Sequence, residues 1–556
     1  RRTSPARVVT GSPRSARPRS ATGARDPNRL PAWFLVAVAL PPAAFLAALY
    51  AWPLVTITAR GFAGGALADT LGRSDTWRAA WFTTWQAFAS TALTVLVGMA
   101  PAWAVARFTF PGRRLLVSVL AAVFVLPTVV VGAAFVALLP DSLDRGIWAI
   151  LGAHVVFNLA VVVRVVGAAW EQLPIGLERA ASTLGASPWR TFVHVTLPLL
   201  RPAIVSASAI VFLFTFTSYG VIRVLGTAGT RTIEVEVWRR ATQLGDTGGA
   251  AVLSVLQLLA LAALVAVSTR IQRRGAHVLA LDPLARRQRP RARERWLVAI
   301  AAGGAFLLVL VPLAALVERS LRVGDGYGLA AWRSLGSNEI RPGLRLGIDP
   351  LGALRNSAVT ALWATLLALV IGGLAAVAIT ALRRSGRLLD AGLMLPLGTS
   401  AVTIGFGMLI TFDTPPVDWR AEWWLVPLGQ ALVAVPFVMR TALGVLRSID
   451  PDLRAAASTL GAPPLRAWAS TTLPYLKRPI ATAAGLAAAI SLGEFGATSF
   501  LSRSGSETLP IAIERLLGRT GRLFQAQAFA LSAILAAATI VLVIVFDLAG
   551  SDRDRS

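Results

Sequence analysis

Apolar runs of about 20 residues recur along the chain, and a helix of that length crosses a hydrocarbon core about 30 Å thick. In the first half these runs predict six spans, at residues 33–58, 81–106, 114–139, 147–170, 202–226 and 249–270. In the second half they predict six more, at residues 296–318, 355–381, 387–412, 423–445, 480–502 and 525–547. The pattern therefore predicts an all-α polytopic membrane protein with about 12 transmembrane helices.

The two halves are related by an internal repeat with a constant offset of 276 residues and no gap. The repeat aligns residues 182–186 with 458–462, His154 with Gln430, and the Tyr219 and Gly220 pair with Phe495 and Gly496. Because six predicted spans separate equivalent positions, both halves have the same orientation in the membrane and form a parallel repeat. This symmetry favours a transporter or channel whose pathway lies between the halves.

Arginine in the short loops predicts the orientation, because basic residues near span ends stay in the cytoplasm. Two tight turns hold only basic charges, Arg107, Arg113 and Arg114 in the first half and Arg383, Arg384 and Arg387 in the second. The turns on the other side hold Asp141, Asp144, Asp413, Asp418 and Glu422. We therefore expect a multi-pass protein of the plasma (inner) membrane with both termini in the cytoplasm.

Composition outside the spans suggests the domain limits. Residues 1–30 contain eight arginines and one acid, a composition that predicts a disordered cytoplasmic tail. We expect a first membrane domain at 31–270, an arginine-rich cytoplasmic linker at 271–295, a second membrane domain at 296–547 and a short cytoplasmic tail at 548–556.

Charge and residue usage exclude several function classes. The net charge of +26 could indicate nucleic-acid binding, but the basic residues lie in short segments between apolar runs, so no nucleic-acid partner is expected. The absence of cysteine excludes disulfides and thiolate metal sites, and the scattered His154, His194 and His277 predict no metal centre.

The chain also lacks a nucleotide site of the phosphate-loop type. That loop needs a lysine followed by Ser or Thr, whereas the only lysine, Lys477, precedes Arg478. We therefore expect no enzymatic activity and no cofactor in this chain.

A polar segment between the fourth and fifth spans of each half is predicted to form a helix, a turn and a second helix. Alanine-rich stretches favour the first helix, and Gly185 and Gly461 are typical helix terminators. Proline-containing pairs at residues 187–188 and 463–464 begin the second helix, and Leu-Pro pairs at 197–198 and 473–474 are expected to close it. An exposed short helix of this kind can enter a groove on a partner protein.

These two segments resemble the EAA loop of bacterial ABC importer permeases, which docks in a cleft of each ATP-hydrolysing subunit. The resemblance rests on the paired alanines, the glycine four residues after the second alanine, and the downstream Leu-Pro. It implies coupling positions at Glu178, Arg179, Ala180, Ala181, Gly185, Pro198, Ala455, Ala456, Ala457, Gly461 and Pro474. It also implies a homodimer of ATP-binding cassette subunits as partner, and those subunits would bind ATP and Mg²⁺.

Two positions depart from the family pattern. Where the family usually has glutamate, this chain has Arg179 and Ala455. Glu178, beside the first of these, is the candidate to replace the missing acid.

Across most of its length the chain is similar to fused two-domain permeases of the thiamine and ferric-iron type, which have the type I ABC importer fold. The segments SLGEFGATSFL and TRTIEVEVW are most similar to the thiamine type. The resemblance implies an extracytoplasmic solute-binding protein as a further partner. Its candidate docking surfaces are the loops at residues 69–78, 231–240, 324–349 and 504–521.

An acidic residue at membrane depth suggests where a substrate could pass. Glu494 lies in the fifth span of the second half, where a charge costs about 2.5–3.5 kcal/mol and should face a partner or a wet cavity. With Ser218, Tyr219 and Phe495 it forms a candidate substrate pathway that could hold a flat cation. The alternative is a structural glutamate paired with an arginine.

The duplicated loops could instead be ordinary amphipathic connectors at the membrane surface. The chain as a whole could be a membrane sensor or assembly protein, which would explain the arginine-rich tails but not two matched loops. A parallel repeat of six plus six helices also fits an ion-coupled secondary transporter.

Overall fold

The computed structural model describes residues 30–275 and 287–551, except for 324–325, 337–338, 342–343, 346–347, 383, 414–416, 421 and 504. His277, the centre of the predicted linker and the predicted N-terminal tail up to residue 29 lie outside the described residues. At the ends of that linker, the helix that precedes it continues to Gly275 and the next begins at Ala292. The last helix continues to Ser551, into the predicted C-terminal tail.

The described part of the first half is helical. It contains α1 Ala32–Leu46, α2 Trp52–Phe62, α3 Ala66–Gly72, α4 Ser74–Arg107, α5 Arg113–Val125, α6 Thr128–Leu138, α7 Ile147–Glu171, α8 Ile175–Thr183, α9 Pro188–Thr191, α10 Leu197–Phe216, α11 Gly220–Leu225, α12 Ile233–Thr242 and α13 Thr247–Gly275. Two π-helical turns, Ala47–Ala51 and Phe192–Thr196, join α1 to α2 and α9 to α10.

The second half repeats this order. It contains α14 Ala292–Ser320, α15 Ala330–Arg333, α16 Pro350–Ala381, α17 Arg384–Met394, α18 Ala401–Thr411, α19 Leu425–Ser448, α20 Pro451–Thr459, α21 Pro464–Gly493, α22 Thr498–Leu501, α23 Leu509–Leu517 and α24 Arg522–Ser551. Between α14 and α16 lie two small antiparallel hairpins, formed by β1 Arg322–Val323 with β2 Gly326–Tyr327 and by β3 Glu339–Arg341 with β4 Leu344–Arg345.

Among the described residues, nine helices are long and apolar enough to cross a membrane, and two bent helix pairs raise the number to as many as 11. The remaining predicted span, at 480–502, falls mainly on the long helix α21. Lys477 and Arg478 lie in this helix just before the predicted span and shorten its apolar stretch. The all-α polytopic fold is thus confirmed.

The predicted spans at 114–139 and 387–412 are sharply bent. The helices bend by 107° between α5 and α6, and by 101° before α18. Pro127 causes the first bend, because proline cannot donate the next helical hydrogen bond and pushes Leu126 into extended geometry. At the second bend Ser400 starts a new helix, since its side chain accepts hydrogen bonds from the N–H groups of Val402 and Thr403.

The prediction that the Leu-Pro pairs close the second short helix is also wrong. The helix continues from Pro188 to Phe216 in the first half and from Pro464 to Gly493 in the second. In the first half the π-helical turn Phe192–Thr196 immediately precedes Leu197, and such a turn relieves the proline's missing hydrogen bond locally. The second helix of each polar segment and the next predicted span are therefore one continuous helix.

Glycine allows close packing of the same helix pair in each half. A Cβ added at Gly98 of α4 would lie 2.7 Å from a Val162 side-chain atom in α7, and one at Gly372 of α16 would lie 2.9 Å from Val438 in α19. Val162 and Val438 are related by the 276-residue offset, so the sequence repeat is also a packing repeat. Small residues are typical of membrane helix interfaces, because they let backbones approach.

The first helices of the two halves are partly exchanged, because α2 also packs on α13 and α14 also packs on α24 of their own halves. Helix α2 packs on α18 of the second half, where Pro53 and Ile57 contact the position of Gly407. Helix α14 packs on α4, α5 and α6 of the first half, and Arg319 donates a hydrogen bond of 3.1 Å to the Ala137 carbonyl. Each half is therefore completed by a helix from the other.

The glycine contact yields a test with a built-in control. Gly372→Ala should destabilise the chain by about 1–3 kcal/mol, because its methyl group overlaps Val438. The neighbouring Gly373→Ala should be neutral or stabilising by up to about 1 kcal/mol, since nothing lies within 4 Å of its Cβ position. The unfolding midpoint of the purified chain in detergent measures both effects, and equal midpoints would contradict the packing described above.

Candidate docking loops and the contact between the halves

The two predicted docking segments, residues 175–186 and 451–462, have the same backbone geometry and are called the docking loops below. In each, a glycine ends the short helix in a left-handed conformation, with φ of +82° at Gly185 and +83° at Gly461. The N–H groups of Gly185 and Ala186 donate to the carbonyls of Ser182 and Ala181, and the second loop repeats both bonds at the 276-residue offset. This Schellman arrangement requires a residue without a Cβ, which explains the glycine in both halves.

Each docking loop presents leucine to solvent. Leu184 and Leu460 are both 88% exposed, and Leu177 and Leu453 are also exposed. A single exposed leucine needs no explanation, but these leucines match in position and exposure in both halves. The pattern is that of two equivalent apolar docking surfaces.

The other predicted coupling residues are distributed along the same surface. Arg179, Ala180, Ala456 and Pro474 are exposed. The remaining ones, Ala181, Pro198, Ala455 and Ala457, are half-buried. Their contact with an ATPase subunit stays a prediction.

Glu178 is bound within the chain. Its carboxylate accepts hydrogen bonds from Arg107 at 2.5 Å and from the Thr196 hydroxyl at 3.0 Å. Arg107, at the end of α4, also donates to the Leu173 carbonyl at 3.3 Å, so it fixes the first docking loop to a transmembrane helix. In the sequence, Arg107 indicated only the orientation of the chain, although its place at the end of a predicted span was also a signal for a contact with the acidic Glu178.

The second docking loop has the opposite charge at the equivalent position. Arg454 stands where the first half has Glu178, and no ion pair involves it among the described residues. Burial lowers the pKa of the Arg454 guanidinium below its ordinary value. The two loops therefore share their shape and their leucines but differ in charge.

Tyr219 and Phe495 contact each other, with ring centroids 5.1 Å apart. They are equivalent positions of the repeat, and two equivalent residues touch only where they lie beside the axis that relates the halves. Gly220 and Gly496 bring this axial pair into place, because a Cβ at Gly220 would overlap Thr128 and one at Gly496 would lie 2.9 Å from Ala401. The sequence-predicted aromatic residues thus meet at the centre of the molecule.

Glu494 and Ser218, the other predicted pathway residues, are both buried and hydrogen-bonded. The Glu494 carboxylate accepts from the N–H groups of Ala497 at 2.8 Å and Thr498 at 2.9 Å, and from the Thr498 hydroxyl. Ser218 bonds to His154 at 2.8 Å. Glu494 therefore holds a turn beside the axial pair through backbone groups, and its role toward substrate stays a prediction.

A buried acid that the sequence analysis did not single out links the halves. Glu234 of α12 accepts a hydrogen bond of 2.5 Å from Gln257 in its own half and one of 2.6 Å from Ser400 in the other. Ser400 is the residue that begins α18 after the bend. The only sequence signal was the apolar context of the motif TRTIEVEVW, which does not reveal a partner 166 residues away.

Part of the predicted external surface at 231–240 is buried. Arg240 is fully buried and bonds to Glu236 at 3.0 Å and to Asp75 at 3.1 Å, which fixes α12 to the start of α4. Burial opposes ionisation of Glu236, but Arg239 and Arg240 outweigh it and hold its pKa below the ordinary value. These buried charges stabilise the fold and are not available to a docking partner.

Comparison with known proteins identifies several full-length relatives. The chain is 28% identical to the thiamine transport system permease protein of Salmonella typhimurium over 479 residues, which cover 82% of this chain and 86% of the relative. It is 29% identical to the corresponding protein of Brucella abortus over 538 residues, covering 92% and 95%. A probable ABC transporter permease of Sinorhizobium fredii is 26% identical, covering 83% and 86%.

One family model matches the chain twice, at residues 94–277 and 368–550, which together make up more than half of the chain. The two matches confirm the duplicated architecture and decide against the ion-coupled secondary transporter. The chain is a transport component of the inner membrane and not an enzyme. It therefore belongs to the family of binding-protein-dependent transport system inner membrane components, the permease subunits of ABC importers.

Proposed function

We propose that the chain forms the complete translocation pathway of an ATP-driven thiamine importer. A homodimer of ATP-binding cassette subunits engages the two docking loops and supplies the energy. An extracytoplasmic solute-binding protein delivers the solute at the opposite end. The observation that carries the proposal is the pair of docking loops with the same helix end and the same exposed leucines.

Features common to the two loops indicate what the partner recognises. A homodimer offers the same cleft twice, so it must accept both loops. The repeat aligns Glu178 with Arg454 and Arg179 with Ala455, so the two loops differ in charge. The exposed leucines and the glycine turn are the same in both loops. Docking therefore rests on shape and apolar contact, and the family's usual glutamate is not needed for it.

Thiamine is supported by the relatives and by the chemistry at the axis. Several relatives that match 80% or more of this chain are named thiamine transport system permease proteins. Thiamine carries a flat cationic ring, and aromatic faces attract such cations within about 6 Å. The axial pair, Tyr219 and Phe495, provides two aromatic rings between the halves. Substrate would pass there when the rings separate.

The proposed orientation follows from the docking loops. ATPase subunits act in the cytoplasm, so both docking loops lie on that side. Both termini then lie there too, in agreement with the arginine-rich turns.

The docking proposal predicts loss of the ATPase partner from a double leucine variant. Leu184→Glu with Leu460→Glu should lower copurification of the ATPase subunits by about tenfold or more, since each loop loses a central apolar anchor. The fold should be unaffected, because both side chains are exposed in the isolated chain.

Leu244→Glu provides the matched control, an exposed leucine at the opposite end of the molecule. It should copurify with the ATPase subunits as the unmodified chain does. Undiminished copurification of the double variant would overturn the docking proposal.

The pathway proposal predicts different effects on thiamine uptake for substitutions of Glu494 and of its hydrogen-bond partner Thr498. Glu494→Gln should lower uptake of radiolabelled thiamine by about tenfold or more, the effect of losing about 1.4 kcal/mol of charge attraction. Thr498→Val loses one hydrogen bond to the same carboxylate but keeps the charge, so uptake should remain within about twofold.

Equal losses of uptake and of thermal stability in both variants would give Glu494 a structural role only. Uptake is measured in cells without another thiamine importer, with radioactive ferric iron in parallel. Uptake of iron and not of thiamine would replace the proposed substrate with the other one that the sequence resemblance suggests.

A further inference from the structure

An ion pair joins the two halves beside the axial pair, on its side away from the docking loops. The Arg223 guanidinium, in α11, lies 2.9 Å from the Glu514 carboxylate, in α23. The side chains are 23% and 19% exposed, so the pair is mostly shielded from solvent. It is the sole Arg–acid pair that links α11 to α23 among the described residues.

The position of Arg223 is close to the axis between the halves. Its guanidinium also lies 3.8 Å from the centroid of the Trp238 ring. Trp238 and Glu514 are equivalent positions, separated by 276 residues. A group that contacts both members of an equivalent pair lies near the axis that relates them.

Arg223 also lies directly next to the axial pair. Its N–H donates to the Tyr219 carbonyl at 2.8 Å, which places it one helical turn farther along the chain. Helix α10 leads from the first docking loop to this turn, so Arg223 lies beyond Tyr219 on the side away from the loop. A solute arriving from that side would meet the ion pair before the rings.

The repeat does not produce a second ion pair of this kind. The equivalent of Arg223 is Ser499, and the equivalent of Glu514 is Trp238, neither of which carries a charge. A single bridge therefore ties the halves at this point. The cost of removing both charges from water offsets much of their attraction, so one shielded ion pair adds little net stability and can be broken by a modest movement of the halves.

We propose that Arg223 and Glu514 form the gate that closes the axial pathway at its outer end. The gate separates when the halves move apart and admits the solute to the axial pair. This inference rests on the proposed function, because it assumes that ATPase subunits move the halves. Glu514 lies in the loop at 504–521 that the sequence suggested as a docking surface, whereas Arg223 was not among the candidates from the sequence.

The chain contains no cysteine, so a single introduced thiol reports on the pathway without background. Phe495→Cys places that thiol at the axial pair, inside the gate. Spheroplasts that produce the variant are treated with a membrane-impermeant, charged thiosulfonate reagent, and the rate of modification is measured.

Adding Glu514→Gln should accelerate modification of the thiol by about tenfold, equivalent to about 1.4 kcal/mol of lost closure. The matched control is Glu507→Gln, which weakens the 2.8 Å pair between Glu507, two residues before α23, and Arg515 in α23, a pair that lies within one half. It should leave the rate unchanged. Equal rates of thiol modification in Phe495→Cys with and without Glu514→Gln would overturn the gate proposal.

A second arm separates failure of the gate from failure of the proposed function. In proteoliposomes with copurified ATPase subunits, ATP should accelerate modification of Phe495→Cys in the chain with an intact gate. No acceleration by ATP would overturn gate opening, whereas failure of the subunits to copurify would instead overturn the docking proposal. If Phe495→Cys does not insert, Ser499→Cys, a nearly isosteric change one turn away, serves as the reporter with the same expected ratio.

Discussion

Backbone hydrogen bonding inside a bilayer is the constraint on which the rest of this structure depends. No water is present there to satisfy a broken helix, so every break needs a partner from the protein. Ser400 supplies it at the start of α18 and Glu494 at the turn before α22. At the start of α12 the N–H of Ile233 bonds to the Thr83 hydroxyl, and the equivalent N–H of Leu509 bonds to Ser357. The breaks cluster around the axial pair, where irregular backbone lines the contact between the halves.

The two halves keep the same backbone while their charges diverge. Besides Glu178 and Arg454, the repeat pairs Glu171 with Arg447, and each of these is neutralised locally. Glu171 bonds to Arg287 at 2.5 Å, whereas Arg447 lies 3.7 Å from Asp390. Fusion in one chain permits this divergence, since each position is encoded separately. The asymmetry leaves Arg223 without a charged counterpart and gives the axis one ion pair in place of two.

The sequence predicted what depends on local pattern and missed what depends on contacts. Length and hydropathy placed most spans within a few residues, and the glycines at 185 and 461 predicted the helix ends, because both signals are local. Hydropathy does not show the direction in which a helix axis runs, so the bends at Pro127 and Ser400 were not predicted. The structural alternative paired Glu494 with an arginine, but the carboxylate instead accepts hydrogen bonds from backbone N–H groups and a threonine hydroxyl. The local sequence around Glu234 or around Ser400 does not indicate that these two residues bond to each other.

The exchange of first helices sets an order of assembly during synthesis. The Tyr50 hydroxyl, between α1 and α2, bonds at 2.6 Å to Thr399, which is 349 residues later in the chain. At a synthesis rate of about 5–20 residues per second, roughly 17–70 s pass before that partner exists. Helix α1, whose main neighbour is α16, is thus among the last to find its native contact, whereas α2 can already pack on α13 of its own half. Until then the protein-facing side of α1 is covered by lipid or by other membrane factors, and a chain that stops after the first half would leave that side permanently uncovered.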